Sequence, residues 1–245
     1  DGNPQSNLDN TLVGTDFRYR NTDFYGNTIQ VSGFYEETET EGLANNNNAA
    51  MGFSLILPNA QGWQGLYQYK RVEENFFPAV GFVNTTDIEN HFFNFGYRHF
   101  LPSESLFRSV LFAFDSNRVE NLEDGSLNNQ SVGLRMSTFT NTNDTIFGRI
   151  TSFKENFKLP FIIYRASDGS RTVTIPAGEY SWQEGFLGLQ PGGHRQVSAN
   201  LFISGGDYYN GSHKALQGNA TWRPNRNFSL VLTFNENRIK LPDGN

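Results

Sequence analysis

Neighbouring residues in this chain carry opposite chemistry, and the pattern recurs from one end to the other. In 13–20, Val13, Thr15, Phe17 and Tyr19 would lie on one face of an extended strand. Gly14, Asp16, Arg18 and Arg20 would lie on the other, because strand side chains alternate between faces. A packed soluble core could not bury that second face without pairing every charge. It is therefore either a solvated outer surface or the lining of a watery lumen. The same split sets Met51, Phe53 and Leu55 against Gly52, Ser54 and Ile56, and Phe93, Phe95 and Tyr97 against Asn94, Gly96 and Arg98. It returns with Leu134 and Met136 against Gly133 and Arg135, and with Leu201 and Ile203 against Asn200 and Ser204.

The spacing of these strands adds a second constraint. Brief polar turns are predicted near 21–27, 58–62, 100–106, 139–144, 190–195 and 223–227. Longer connections are predicted at 36–50, 71–90, 115–129, 154–180 and 204–214. Short turns on one rim and long loops on the other are how a transmembrane β-barrel is built. The predicted fold is all-β: an antiparallel up-and-down transmembrane β-barrel with about twelve strands seen. Long loops face outward in such barrels, which places both chain ends on the outer rim. Residues 1–245 then read as one barrel segment, incomplete at both ends and part of a larger barrel.

Composition fits this reading. Aromatic residues make up 15% of the chain and charged residues only 18%. No stretch approaches the roughly 18 apolar residues of a membrane helix, but a barrel strand offers lipid only every second side chain. The net charge of −6 argues against a nucleic-acid partner. There is no cysteine, which excludes a disulfide scaffold and a thiolate zinc site. Residues 1–5 carry no basic, then apolar, export signal.

Candidate residues fall into two groups. Asp16, Arg18, Arg20, Lys70, Asn94, Arg98, Asp115 and Arg135 sit on the polar face and would line a lumen. Cations outnumber carboxylates there, which would favour anionic solutes through the local field; cross-strand pairing of the same charges would instead merely fill the interior. Trp63, Tyr67, Tyr69, Tyr97, Trp182 and Trp222 lie near strand ends, as an interfacial aromatic girdle requires, although ordinary sheet packing would also place rings there. Chemistry-bearing clusters are scarce. His91, His99, His194 and His213 are scattered, and the acidic run Glu36, Glu37, Glu39 and Glu41 lacks the glycine spacing of a calcium loop. Asn45 to Asn48 form a low-complexity loop tip. No nucleophile elbow, phosphate loop or nucleotide fingerprint occurs, so neither an enzyme nor a cofactor is expected.

Six segments carry a family resemblance: 13–20 (VGTDFRYR), 72–83 (VEENFFPAVGFV), 175–180 (IPAGEY), 206–211 (GDYYNG), 222–230 (WRPNRNFSL) and 241–244 (LPDG). In order and spacing the chain resembles an uncharacterised outer-membrane β-barrel family of Bacteroidota, whose members often carry an amino-terminal module resembling a family-nine carbohydrate-binding domain. Glu73 stands where that family usually has glycine, and Phe77 where it has a polar residue. The resemblance implies a bacterial outer-membrane location and contact with its lipid and lipopolysaccharide. No sugar-binding residue carries over, because the module itself is absent from this sequence.

The expected role is that of a non-enzymatic pore or uptake channel for a small solute, or of a scaffold for a surface complex with other outer-membrane proteins. The alternative is a secreted β-sheet module that stacks exposed Trp and Tyr on sugar rings.

Overall fold

A computed structural model describes residues 9–42, 46–79, 81–165, 167–168 and 172–242. Residues 1–5, Asn45, Val80, Asp243 and Gly244, which fall in segments singled out above, lie outside them. No helix occurs among the described residues. The strands are β1 (Asn10–Phe24), β2 (Asn27–Thr40), β3 (Ala49–Leu57), β4 (Gly62–Val72), β5 (Ile88–Phe100), β6 (Phe107–Asn121) and β7 (Leu127–Thr140). They continue with β8 (Thr145–Phe157), β9 (Phe161–Arg165), β10 (Thr172–Ile175), β11 (Gly178–Gln190), β12 (Val197–Tyr208), β13 (Gly211–Asn225) and β14 (Phe228–Lys240). Twelve form one sheet in the order of the chain, with β8 followed by β11, and β9 pairs with β10 in a separate hairpin. The ladders that join β1 to β4, β8 and β11 to β14, and β9 to β10 are all antiparallel.

The chain divides into two compact units, Asp1–Phe95 with Ser116–Gln130, and Gly96–Asp115 with Ser131–Asn245. In the first, β1 to β4 hold an unbroken register along most of their length: Asp16 opposes Phe34, Phe34 opposes Gly52, and Gly52 opposes Lys70. The first turn needs only Tyr25 and Gly26, both at positive φ (50° and 74°), a conformation whose twist matches the flanking strands. The buried apolar cluster here is small: Ala50, Val72 and Phe76, with Val83 and Ile88 against it. In the second unit β8, β11, β12, β13 and β14 form a continuous meander.

Two expected long connections are short. The sequence pattern predicts a long connection at 115–129, yet β6 runs to Asn121 and β7 starts at Leu127. The Asn121 amide donates to the Ser126 carbonyl at 2.9 Å, and Asp124 Oδ1 accepts from the Ser126 amide at 2.9 Å, so the hairpin closes at 122–126. Polar side chains extend the ladder beyond its apolar part: Asn90 Nδ2 donates to Asn117 Oδ1 at 2.9 Å, and Arg118 donates to Gln130 Oε1 at 3.4 Å. Likewise 204–214 is mostly strand, turning only at Tyr209 and Asn210. The connections at 41–48, 73–87 and 158–177 are longer, and β2 continues through Glu36, Glu37 and Glu39 to Thr40. A backbone ladder needs donors and acceptors, not apolar side chains, so polar composition alone mislocated these strand ends.

Candidate functional site

In the first unit the register gathers Asp16, Arg18, Arg20 and Lys70 on one face. Arg18 opposes Ser32, which opposes Ser54, and the two serine hydroxyls hydrogen-bond at 2.7 Å. Phe34 lies over Gly52, where a side chain would collide with its ring. Asp16, Arg18 and Arg20 remain exposed. Asn94 belongs to the corresponding face of β5, since a side chain at Gly65 on β4 would meet the Phe95 ring, leaving Asn94 opposite. The connection 73–87 folds over one end of this face. Phe76 buries itself beside Val72 and Ala50, and Asn10 clasps the passing backbone, donating to the Phe77 carbonyl at 2.8 Å and accepting from the Ala79 amide at 3.1 Å. Beneath it lies a half-open cavity of about 370 Å³ lined by Phe34, Phe76 and Phe82 with Glu36 and Lys70.

In the second unit a charged group spans three neighbouring strands. Asp115 on β6 lies 3.8 Å from Arg135 on β7 and 3.9 Å from Arg149 on β8. Arg149 reaches across β7 because Gly133 stands in the way with no side chain: a Cβ there would lie 3.0 Å from Arg149 Nε. Arg98 joins from β5, its guanidinium carbon 4.8 Å from the centre of the Phe139 ring, a cation–π contact that braces it. A Cβ at Gly96 would fall 2.9 Å from that of Ala113, which puts Arg98 on the same face as Ala113 and Asp115. Sequence reasoning named Arg98, Asp115 and Arg135 but missed Arg149. The signal was present: Arg149 alternates with Thr151, and both are set against the exposed Ile150.

Further along that face, rings pack together. Trp182 is stacked on Phe153 (5.1 Å between centroids), meets Tyr209 at 4.7 Å, and is only 7% exposed. The Tyr209 hydroxyl donates to Glu155 Oε2 at 3.2 Å. Burial first, and the Glu155 carboxylate second, hold the Tyr209 phenol above its usual pKa. Trp182, expected in an interfacial aromatic girdle, is buried in the structure. It lies on the face opposite Leu187, inside an aromatic cluster that includes Phe157, Tyr180 and Tyr208. The other five expected girdle rings are distributed differently. Trp63 stacks on Phe95 at 4.9 Å and is exposed, as are Tyr97 and Trp222. Tyr67 and Tyr69 share the face of Trp63 and donate or share hydrogen bonds with His91 (2.9 Å) and Glu89 (3.1 Å).

The opposite face of the second unit is apolar and exposed. Leu187, Leu201, Ile203, Trp222, Leu232 and Phe234 occupy it on four adjacent strands, and Leu187 is 63% exposed. Beyond it the same face turns charged, with Lys214, Glu236 and Arg238. Two histidines have carboxylate neighbours: His91 beside Glu89 (2.9 Å) and His213 beside Glu184 (3.6 Å). Among the described residues, no three His, Asp or Glu side chains converge as a metal site would require. No family model, curated protein or solved structure matches this chain.

Proposed function

We propose that this chain is a transmembrane β-barrel segment of the bacterial outer membrane, non-enzymatic, that forms a pore or uptake channel for a small solute. One observation carries the reading: among the described residues, many large aliphatic and aromatic side chains stand exposed on the sheet while few are buried. Soluble monomers rarely expose contiguous apolar patches beyond a few hundred Å². A lipid-facing band supplies the apolar partner that such a face lacks, and the alternating polar face then lines the interior. From Val197 to Ile203 the apolar positions extend roughly 20 Å along β12 at about 3.3 Å per residue. That is of the order of the ~25 Å apolar belt of outer-membrane barrels. Closure of the twelve-stranded sheet into a barrel, and the kinship suggested by the six segments, belong to the same proposal.

The test is detergent dependence followed by planar bilayers. The chain should need detergent to stay dispersed, should migrate differently on gels before and after heating, and should give conductance steps. Monodisperse behaviour in plain buffer overturns the membrane reading and leaves the sugar-stacking β-sheet module. Folded but silent protein favours the scaffolding role.

A further inference from the structure

Resting on the pore reading, the charged group of the second unit says which solutes the interior favours. Three guanidinium groups, Arg98, Arg135 and Arg149, share one polar face with the carboxylate of Asp115. Neither ion pair with Asp115 is a close one, at 3.8 and 3.9 Å, so neither saturates the donors of its arginine. The side chains of Arg135 and Arg149 stay 36% and 41% exposed, whereas that of Asp115 is only 15% exposed. The carboxylate is therefore the floor of the group; Arg135 Nε is buried beside it without a hydrogen-bond partner, while both arginine side chains stay partly open to solvent. Gly133, which has no side chain, leaves the room through which Arg149 reaches across β7.

We propose that Arg98, Arg135 and Arg149 form an anion-selecting station for small oxyanions, phosphate or carboxylate, with Asp115 positioning two of the three. Each planar guanidinium presents paired N–H donors that match two oxygens of such an anion. With three cations against one carboxylate the station holds a local excess of positive charge, although the whole chain carries −6. In a narrow low-dielectric passage such an excess concentrates anions and repels cations. The long separations, and the Arg135 Nε donor left without a partner, are what simple charge pairing does not explain, since paired charges that only filled the interior would close on each other.

Two measurements test this on the full chain. In planar bilayers under a potassium chloride gradient, the reversal potential should show chloride preferred over potassium. The double variant Arg135→Gln with Arg149→Gln should lower that preference at least about threefold, with heat-modifiable gel mobility unchanged. In detergent, inorganic phosphate should slow modification of Arg135 and Arg149 by phenylglyoxal. A conducting pore whose selectivity ignores the double variant overturns the station and leaves the pore intact. Silent bilayers with phosphate protection overturn the pore and leave an anion site. Loss of protection together with cation preference overturns the station.

Discussion

Asp144 and Arg195 form a two-armed ion pair that ties the turn between β7 and β8 to the connection between β11 and β12. Arg195 Nη2 donates to Asp144 Oδ2 at 2.8 Å, its Nη1 donates to Oδ1, and the Gly192 amide donates to Oδ1 at 2.8 Å. Arg195 above all, then the Gly192 amide, hold the Asp144 carboxyl well below the usual carboxylate range. A depressed folded-state pKa stabilises the fold above the unfolded value of about 3.9 and loses that contribution as pH falls through the folded value. Asp144→Asn should therefore lower the melting temperature at pH 7 while narrowing the gap to the parent protein below about pH 3. Thermal melts in detergent across pH 2–7 check this; a gap that stays constant with pH contradicts it.

The apolar face offers a test of what surrounds it. Leu201 is 42% exposed and lies between Leu189 on β11 and Gly218 on β13. In a bilayer Leu201→Arg should cost roughly 2–4 kcal/mol, as a cation near the middle of a lipid-facing band does. On a water-facing sheet the same exposed change would be nearly silent. Urea titration in lipid vesicles distinguishes the two.

Trp182 should contribute more than the exposed tryptophans. Trp182→Ala should cost about 3–5 kcal/mol, because it opens a cavity among Phe153, Tyr208 and Tyr209. Trp63→Ala, on an exposed ring, should cost less under the same denaturant titration.

The clasp over the first unit is local. Asn10→Ala removes hydrogen bonds to Thr40, Phe77 and Ala79, and should loosen that connection by about 1–2 kcal/mol. Hydrogen exchange at the Ala79 amide, which donates to Asn10 Oδ1, reads it directly, while exchange within β11 to β14 should not change.

Gly206 occupies a position that a side chain cannot share. Its φ is 157°, and a Cβ there would lie 2.9 Å from the Glu184 Cα on β11. Gly206→Ala should cost on the order of 1–3 kcal/mol through backbone strain, seen as a lower unfolding midpoint. An unchanged midpoint would mean that β11 and β12 can part locally at little cost.

Much of the fold can be read from residue order. Asp16, Arg18 and Arg20 against Phe17 and Tyr19, or Asn200 and Ser204 against Leu201 and Ile203, are sorted by alternation, and the ladders place them as sorted. Trp182 resisted this reading because β11 is aromatic on one face and aliphatic on the other. Period two then separates the faces without saying which one is exposed. The strand ends near Asn121 and Tyr208 were hidden for a different reason. Asn, Asp and Arg there continue a ladder held by backbone donors and acceptors, so polarity was a poor guide to where pairing stops.

The sequence by itself determined that this chain forms strands and which residues share a face, because alternation is a property of the extended backbone alone. Only the tertiary structure decided which residues meet. Arg149 reaches Asp115 two strands away over the bare position of Gly133. Trp182 packs among rings brought from β8 and from the turn after β12. Such meetings depend on register and on reach between strands distant in sequence, and no local pattern encodes either.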